Sequence, residues 1–176
     1  MSDPKSIPMS YAVWPTSWGP MGAVAGPRGL TRVVLPHYPR KDLLALLAWE
    51  HPGAILDQGP LEPFVRASTD YFAARAADFS AVLVDLPAED TFFGKVYRAC
   101  QTVTLGRQIS YRELAIEIGA PDAARAVATA LGKNPTPLVV PCHRIIYSSG
   151  GLGGFSAEGG LALKQRMLTL EAGMKA

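Results

Sequence analysis

The sequence predicts a mixed α/β (α+β) chain of two small domains, residues 1–88 and 89–176, the second mainly helical and carrying a helix-turn-helix. Three observations point there. The chain has 176 residues, 48% of them apolar, which is enough for a buried core in one ordinary domain or two small packed ones. It carries 17 glycines and 15 prolines, which favour short elements and many turns over long helices. The pattern also changes near residues 86–91, from strand-and-turn texture to amphipathic helices and a reactive-looking turn.

The elements follow in order. Residues 10–35 read as short strands broken by Gly-Pro turns, a hairpin or meander. RKDLLALLAWEH, after Pro39, carries an apolar stripe of Leu43, Leu46, Leu47 and Trp49 and reads as a helix with a core-facing side, ending before Pro52. A second helix is expected over Glu62–Phe79, with Phe64–Phe72 in the core, and a last strand over Val82–Leu86 before the linker. Beyond Thr91, the spacing of Phe92, Phe93, Val96, Tyr97 and Cys100 is that of an amphipathic helix with Cys100 on its buried side. Ser110-Tyr111-Arg112-Glu113 fits a capping box and predicts a helix to Ile118, stopped by Gly119. Pro121 opens a turn, Asp122 is the expected N-cap, and an alanine-rich helix runs over Ala123–Leu131 to Gly132. These two short helices make the helix-turn-helix. Leu138-Val139-Val140 is expected to be a short buried strand, and Leu161–Ala172 a final helix.

Charge and composition exclude several classes. The chain is nearly balanced, but residues 1–89 carry seven Lys/Arg against nine Asp/Glu and residues 90–176 ten against six. On charge alone this is either a slightly basic surface or, in the second half, the footprint of a polyanion partner. No apolar run is long enough to cross a membrane, and the N-terminus lacks the apolar segment of a secretory signal. Two cysteines, Cys100 and Cys142, cannot build a disulfide framework, so a reducing compartment is expected. With three histidines, none spaced with the cysteines as zinc ligands, no metal and no cofactor are expected. The glycine-rich Gly150–Gly154 lacks the Lys and flanking elements of a phosphate loop, and is expected to wall a pocket instead.

The chemistry concentrates at Pro141-Cys142-His143-Arg144. A cysteine held on a Pro-initiated turn beside two basic residues has the makings of a nucleophile, because neighbouring cations favour thiolate. Adjacent Cys and His make a poor direct hydrogen-bonding pair, so the imidazole is expected to act through a water. Glu171 is badly placed for the dipole of its own helix; a tertiary partner such as His143 would explain it, the alternative being a plain exposed carboxylate.

In order along the chain, FFGKVYRACQTV, ISYRELA, AARAV, the Asn-Pro before PLVVPCHRII, GGLGGF and GLALKQRMLTLE resemble the O6-alkylguanine-DNA alkyltransferases, the methylated-DNA–protein-cysteine methyltransferases, over residues 91–172. The resemblance implies a ribonuclease-H-like N-terminal domain. It implies a DNA-repair enzyme that transfers an alkyl group irreversibly from O6-alkylguanine to Cys142, once per molecule. By the same resemblance the guanine is flipped from the duplex. His143 would deprotonate Cys142 through water, Glu171 would orient His143, and Asn134 would brace the turn. Tyr111 would promote flipping and hydrogen-bond the base, and Arg125 would fill the vacated space. Ser110 and Ala126 join them on the DNA side. Tyr111, Leu131, Cys142, Ile145, Phe155 and Ser156 would form the pocket, with backbone groups at Cys142 and Ile145 and the Ser156 amide reading the guanine. The implied partner is double-stranded DNA, met through the minor groove by a monomer in the cytoplasm, or the nucleus in a eukaryote. The alternative is a lesion-binding sensor without alkyl transfer, against which Cys142 itself argues.

Overall fold

A computed structural model describes residues 8–174, which divide between Asp85 and Leu86 into two compact units by their internal contacts. The first unit is built on a sheet of order β3-β2-β1-β4. β1 (Ser10–Thr16), β2 (Gly19–Gly26) and β3 (Gly29–Val34) form an antiparallel meander, with a bulge between Val24 and Ala25. The two-residue β4 (Ile55–Leu56) joins β1 in parallel. Two helices accompany the sheet, α1 (Arg40–Glu50) and α2 (Glu62–Phe72). Leu43 and Leu47, one turn apart, bury against Val13, Val24 and Val34.

Four expectations are corrected, three in this unit and at its border and one in the second unit. Trp49 is 80% exposed and not core. It lies two residues beyond Leu47, about 200° round the helix, on the opposite face. The second helix ends at Phe72 and not Phe79. Ala74 adopts φ 56°, the Arg75 N–H donates to Asp70 O at 2.9 Å, and the Arg75 guanidinium pairs with the Asp70 carboxylate. That is a left-handed helix stop with an ion pair across it. Phe79 nonetheless packs near Phe64 and Tyr71. Val82–Leu86 is no strand: its overlap with β3 is the single bridge Leu30–Val84, flanked by two hydrogen bonds. Finally, no side chain caps the alanine-rich helix. The Ala123 N–H donates to Ala120 O, so the turn closes one residue later than Asp122 and makes Ala123 the N-cap.

The second unit is mainly helical. α3 (Phe92–Gln101) is capped by Thr91, whose hydroxyl accepts from the Gly94 N–H. A Cβ at Gly94 would overlap the Ala88 carbonyl oxygen, so only glycine lets the incoming chain lie against this helix. β5 (Ile109–Ser110) leads straight into α4 (Tyr111–Glu117), with the predicted capping box fully formed between Ser110 and Glu113. α5 (Ala124–Gly132) completes the helix-turn-helix, and the Tyr97 hydroxyl donates to Ala130 O, tying α3 to it. β6 (Ile145–Ile146) pairs in parallel with β5, which sets the start of α4 beside the residues after Cys142. α6 (Gly160–Gly173) closes the chain, with Leu163, Lys164, Met167, Leu168 and Glu171 on its buried face. Among the described residues, no helix is long and apolar enough to cross a membrane.

Candidate active site

The expected strand over Leu138–Val140 is instead a tight turn. Pro135 and Pro137 carry no N–H, and Leu138 takes the left-handed φ of 75°, unusual for a leucine and costing about 1–2 kcal/mol. The Val140 N–H donates to Thr136 O and the Cys142 N–H to Val140 O, so the chain winds into a single 3₁₀ turn, Cys142–Arg144. Asn134 spans this winding. Its Nδ2 donates to Val140 O at 2.8 Å and to Cys142 Sγ at 3.2 Å, while its Oδ1 accepts from the Thr136 N–H at 3.0 Å. One side chain thus fixes the turn and touches the sulfur.

Cys142 lies beside a cavity of about 440 Å³ whose walls include Tyr111, Arg125, Leu131, Phe155 and Ser156. The sulfur's residue is 8% exposed. Burial pushes the thiol above its ordinary range, against the opposing pull of the Asn134 hydrogen bond, the Lys164 charge and the backbone N–H groups of Cys142 and His143. The resting residue is therefore a thiol, ringed by groups that would welcome a thiolate. This corrects the expectation that His143 and Arg144 supply the activating positive charge. The imidazole is fully buried, and desolvation lowers its pKa despite Glu171. The guanidinium is committed elsewhere: Nε and Nη2 donate to both oxygens of Glu171 at 2.9 and 3.0 Å, and Nη1 donates to Val103 O at 2.7 Å.

Glu171 finds the partner predicted for it. His143 Nε2 lies 2.5 Å from Glu171 Oε1. Burial alone would raise this carboxyl, but the His143 hydrogen bond and the Arg144 pair outweigh it and bring it to about 2. A carboxylate only accepts, so His143 Nε2 carries the proton and Nδ1 is the basic nitrogen of the neutral ring. Glu171 also accepts from the Gly106 N–H at 3.3 Å, which ties the loop after α3 to the same centre.

The cation missed in the sequence is Lys164. It is wholly buried in α6, donates from Nζ to Ile145 O at 2.7 Å and to Gly154 O at 3.4 Å, and lies 5.8 Å from the centre of the Tyr111 ring. Desolvation brings its pKa down to about 8. The signal was present as a lone lysine inside the apolar stripe Leu163, Met167, Leu168, seven residues before Glu171 on the same face. Tyr111 is buried at the start of α4, and burial, with Tyr147 and Cys142 nearby, raises its hydroxyl to about 12, leaving it a proton donor at neutral pH. Arg125 and Ala126 are exposed on α5, whereas Ser110 is buried and its side chain accepts from the Glu113 N–H. Ile145 is buried, with its carbonyl taken by Lys164. Among the described residues, no group of three or more His, Cys, Asp or Glu is placed to hold a metal ion.

Residues 91–173 match the family described as 6-O-methylguanine DNA methyltransferase, DNA binding domain. A methylated-DNA–protein-cysteine methyltransferase of Mycobacterium tuberculosis is 43% identical over 115 residues, 65% of this chain and 67% of that protein. The chain belongs to this methyltransferase family. The inducible methyltransferase of Bacillus subtilis is 34% identical over 82% of the chain and 79% of its own length. A Mycolicibacterium paratuberculosis relative is 50% identical over 101 residues, and the chain covers 59% of it. The likeness extends to the whole fold. The crystal structure of the M. tuberculosis O6-methylguanine methyltransferase superposes with a TM-score of 0.76 at 32% identity, covering 96% of this chain and 95% of that one. The M. tuberculosis protein OGT solved in complex with DNA superposes with a TM-score of 0.76 at 34% identity, covering 94% of each chain.

Proposed function

We propose that Cys142 is the acceptor through which this methyltransferase repairs DNA by direct alkyl transfer from O6-alkylguanine. The observation that carries the reading is the sulfur's position: beside a base-sized cavity, with Asn134, two backbone N–H groups and the Lys164 charge disposed around it. In this reading His143, held by Glu171 through Nε2, takes the Cys142 proton at Nδ1 by way of a water. The thiolate attacks the alkyl carbon. The S–C bond forms as the C–O6 bond breaks, the electron pair of that bond stays with the guanine, and a proton from the Tyr111 hydroxyl lets it leave as the neutral base; the proton taken by His143 makes good that loss through water. The product is a thioether with no leaving group, so each molecule acts once.

The guanine must leave the duplex to reach the sulfur. Tyr111, a donor at neutral pH, hydrogen-bonds the base and crowds the backbone. Arg125, exposed on α5, enters the stack, with Ala126 and the Ser110 end of α4 against the DNA. The small side chains of α5 suit close approach in the minor groove. Leu131, Phe155 and Ser156 enclose the base with Tyr111, while backbone groups at Cys142 and Ile145 read its edge. The protein acts as a monomer, and its free thiols Cys100 and Cys142 suit the cytoplasm.

The deciding experiment incubates the protein with duplex DNA carrying O6-methylguanine and measures intact mass. A gain of one methyl, mapped to Cys142 and absent from Cys142→Ala, is expected. Binding without that gain would leave a lesion sensor in place of a repair enzyme.

A further inference from the structure

Tyr147 takes no part in the chemistry above, yet it stands with Tyr111 where two cavities meet. The reactive cavity and a second one of about 580 Å³ share Tyr111, Arg125, Ala128 and Tyr147, and the outer cavity also reaches Arg112. Tyr147 is 54% exposed, so its ring contributes little to the core. Its backbone is nonetheless fixed. The Tyr147 N–H donates to Gly151 O at 2.8 Å, and its carbonyl accepts from the Gly150 N–H at 2.9 Å. The ring lies 5.5 Å from that of Tyr111, tilted by 54°.

We propose that Tyr147 is a positioning residue whose exposed ring stacks on the guanine as it passes from the outer cavity into the reactive one. The proposal rests on the base-extrusion reading given above. A base drawn out of a duplex loses its neighbours' π-faces. A rigidly held aromatic face on its path replaces part of that stacking, and does so for any purine because the contact reads a face and not an edge. The Arg112 guanidinium that flanks the outer cavity holds a phosphate of the same strand while the base moves. Tyr111 is tucked against Gly153 and buried, so Tyr147 is the ring of the pair that an arriving base meets first.

The test compares the intact protein with Tyr147→Leu and Tyr147→Phe in single-turnover methyl transfer, from duplex DNA and from free O6-methylguanine base. Tyr147→Leu should slow the duplex reaction about tenfold, the loss expected of one base–aromatic stack. It should leave the free-base reaction and the thermal midpoint as they are, and Tyr147→Phe should recover the duplex rate. An undiminished duplex rate in Tyr147→Leu, or an equal loss with the free base, overturns the proposal. Arg125→Ala serves as the reference. If it loses rate selectively on duplex DNA while Tyr147→Leu does not, the Tyr147 assignment alone fails; if neither variant shows a duplex-selective loss, base extrusion itself fails.

Discussion

Glu171 Oε1 lies 2.5 Å from His143 Nε2, twenty-eight residues away in the chain, and the same carboxylate grips Arg144 through both its oxygens. One residue near the C-terminal end of α6 thus fixes both residues that follow Cys142. Its charge opposes the helix dipole there, and the buried guanidinium more than offsets that. Glu171→Gln keeps the shape and removes the charge. It leaves the Arg144 guanidinium buried without a counter-ion, and should cost about 3–5 kcal/mol of stability. Urea titration of the two proteins measures this, and the surviving folded fraction should transfer methyl more slowly because His143 loses the carboxylate charge that favours its taking up the Cys142 proton.

The same carboxylate predicts an acid limb. Glu171 titrates at about 2 in the folded protein, against 4.5 for an ordinary Glu. A depressed carboxyl contributes stability that is complete above its unfolded pKa and is lost as pH falls through the folded one. The protein should therefore weaken between pH 4.5 and 2, with proton uptake on unfolding in that window. In Glu171→Gln this component of the slope should vanish. Denaturant midpoints at several acidic pH values measure both curves.

Lys164 carries the charge that Cys142 needs. Its pKa of about 8 means that it is cationic at neutral pH and loses its charge as pH rises past that value. The thiol, raised by burial, ionises more readily while that charge is present. Lys164→Met should therefore slow carbamidomethylation of Cys142 at pH 7, by about tenfold for one lost charge interaction of roughly 1.4 kcal/mol. The wild-type rate should also climb less steeply with pH above 8 than below it, a break that the variant lacks. Peptide mapping separates this signal from Cys100, which is completely buried.

Local rules carried the sequence reading far where contacts are local. The capping box at Ser110 and Glu113, the β1–β3 meander and the α3 stripe depend on neighbours a few residues apart, and all three formed. Leu-Val-Val before Cys142 has strand propensity, yet it forms a turn. What overrides it is Asn134, which draws the Val140 carbonyl and the sulfur to one amide. The Glu171 partner was legible because a carboxylate at a helix end has to be explained. Lys164 is hard to see in the sequence, because a lysine is ordinarily exposed and only the register of its helix turns it inward. Arg144 was read as a cation near the thiol, but which acceptor a guanidinium takes is decided by tertiary placement, here of α6.

Gly153 bears most directly on the cavity wall. It has φ 73°, and a Cβ there would fall 2.5 Å from the Tyr111 hydroxyl oxygen and 2.7 Å from ring carbon Cε2. Alanine would incur about 1–2 kcal/mol for the left-handed backbone. It would also displace the Tyr111 ring, which Tyr147 and Lys164 already flank. Gly154, next in the chain, has open space where its Cβ would go. Gly153→Ala should therefore fold with a modestly lowered thermal midpoint and lose methyl transfer to duplex and free base alike. Gly154→Ala should retain both. The pair of variants separates the loop's backbone freedom from its contact with Tyr111: if Gly153→Ala transfers methyl as fast as Gly154→Ala, Tyr111 has no fixed place in the reaction that this wall maintains.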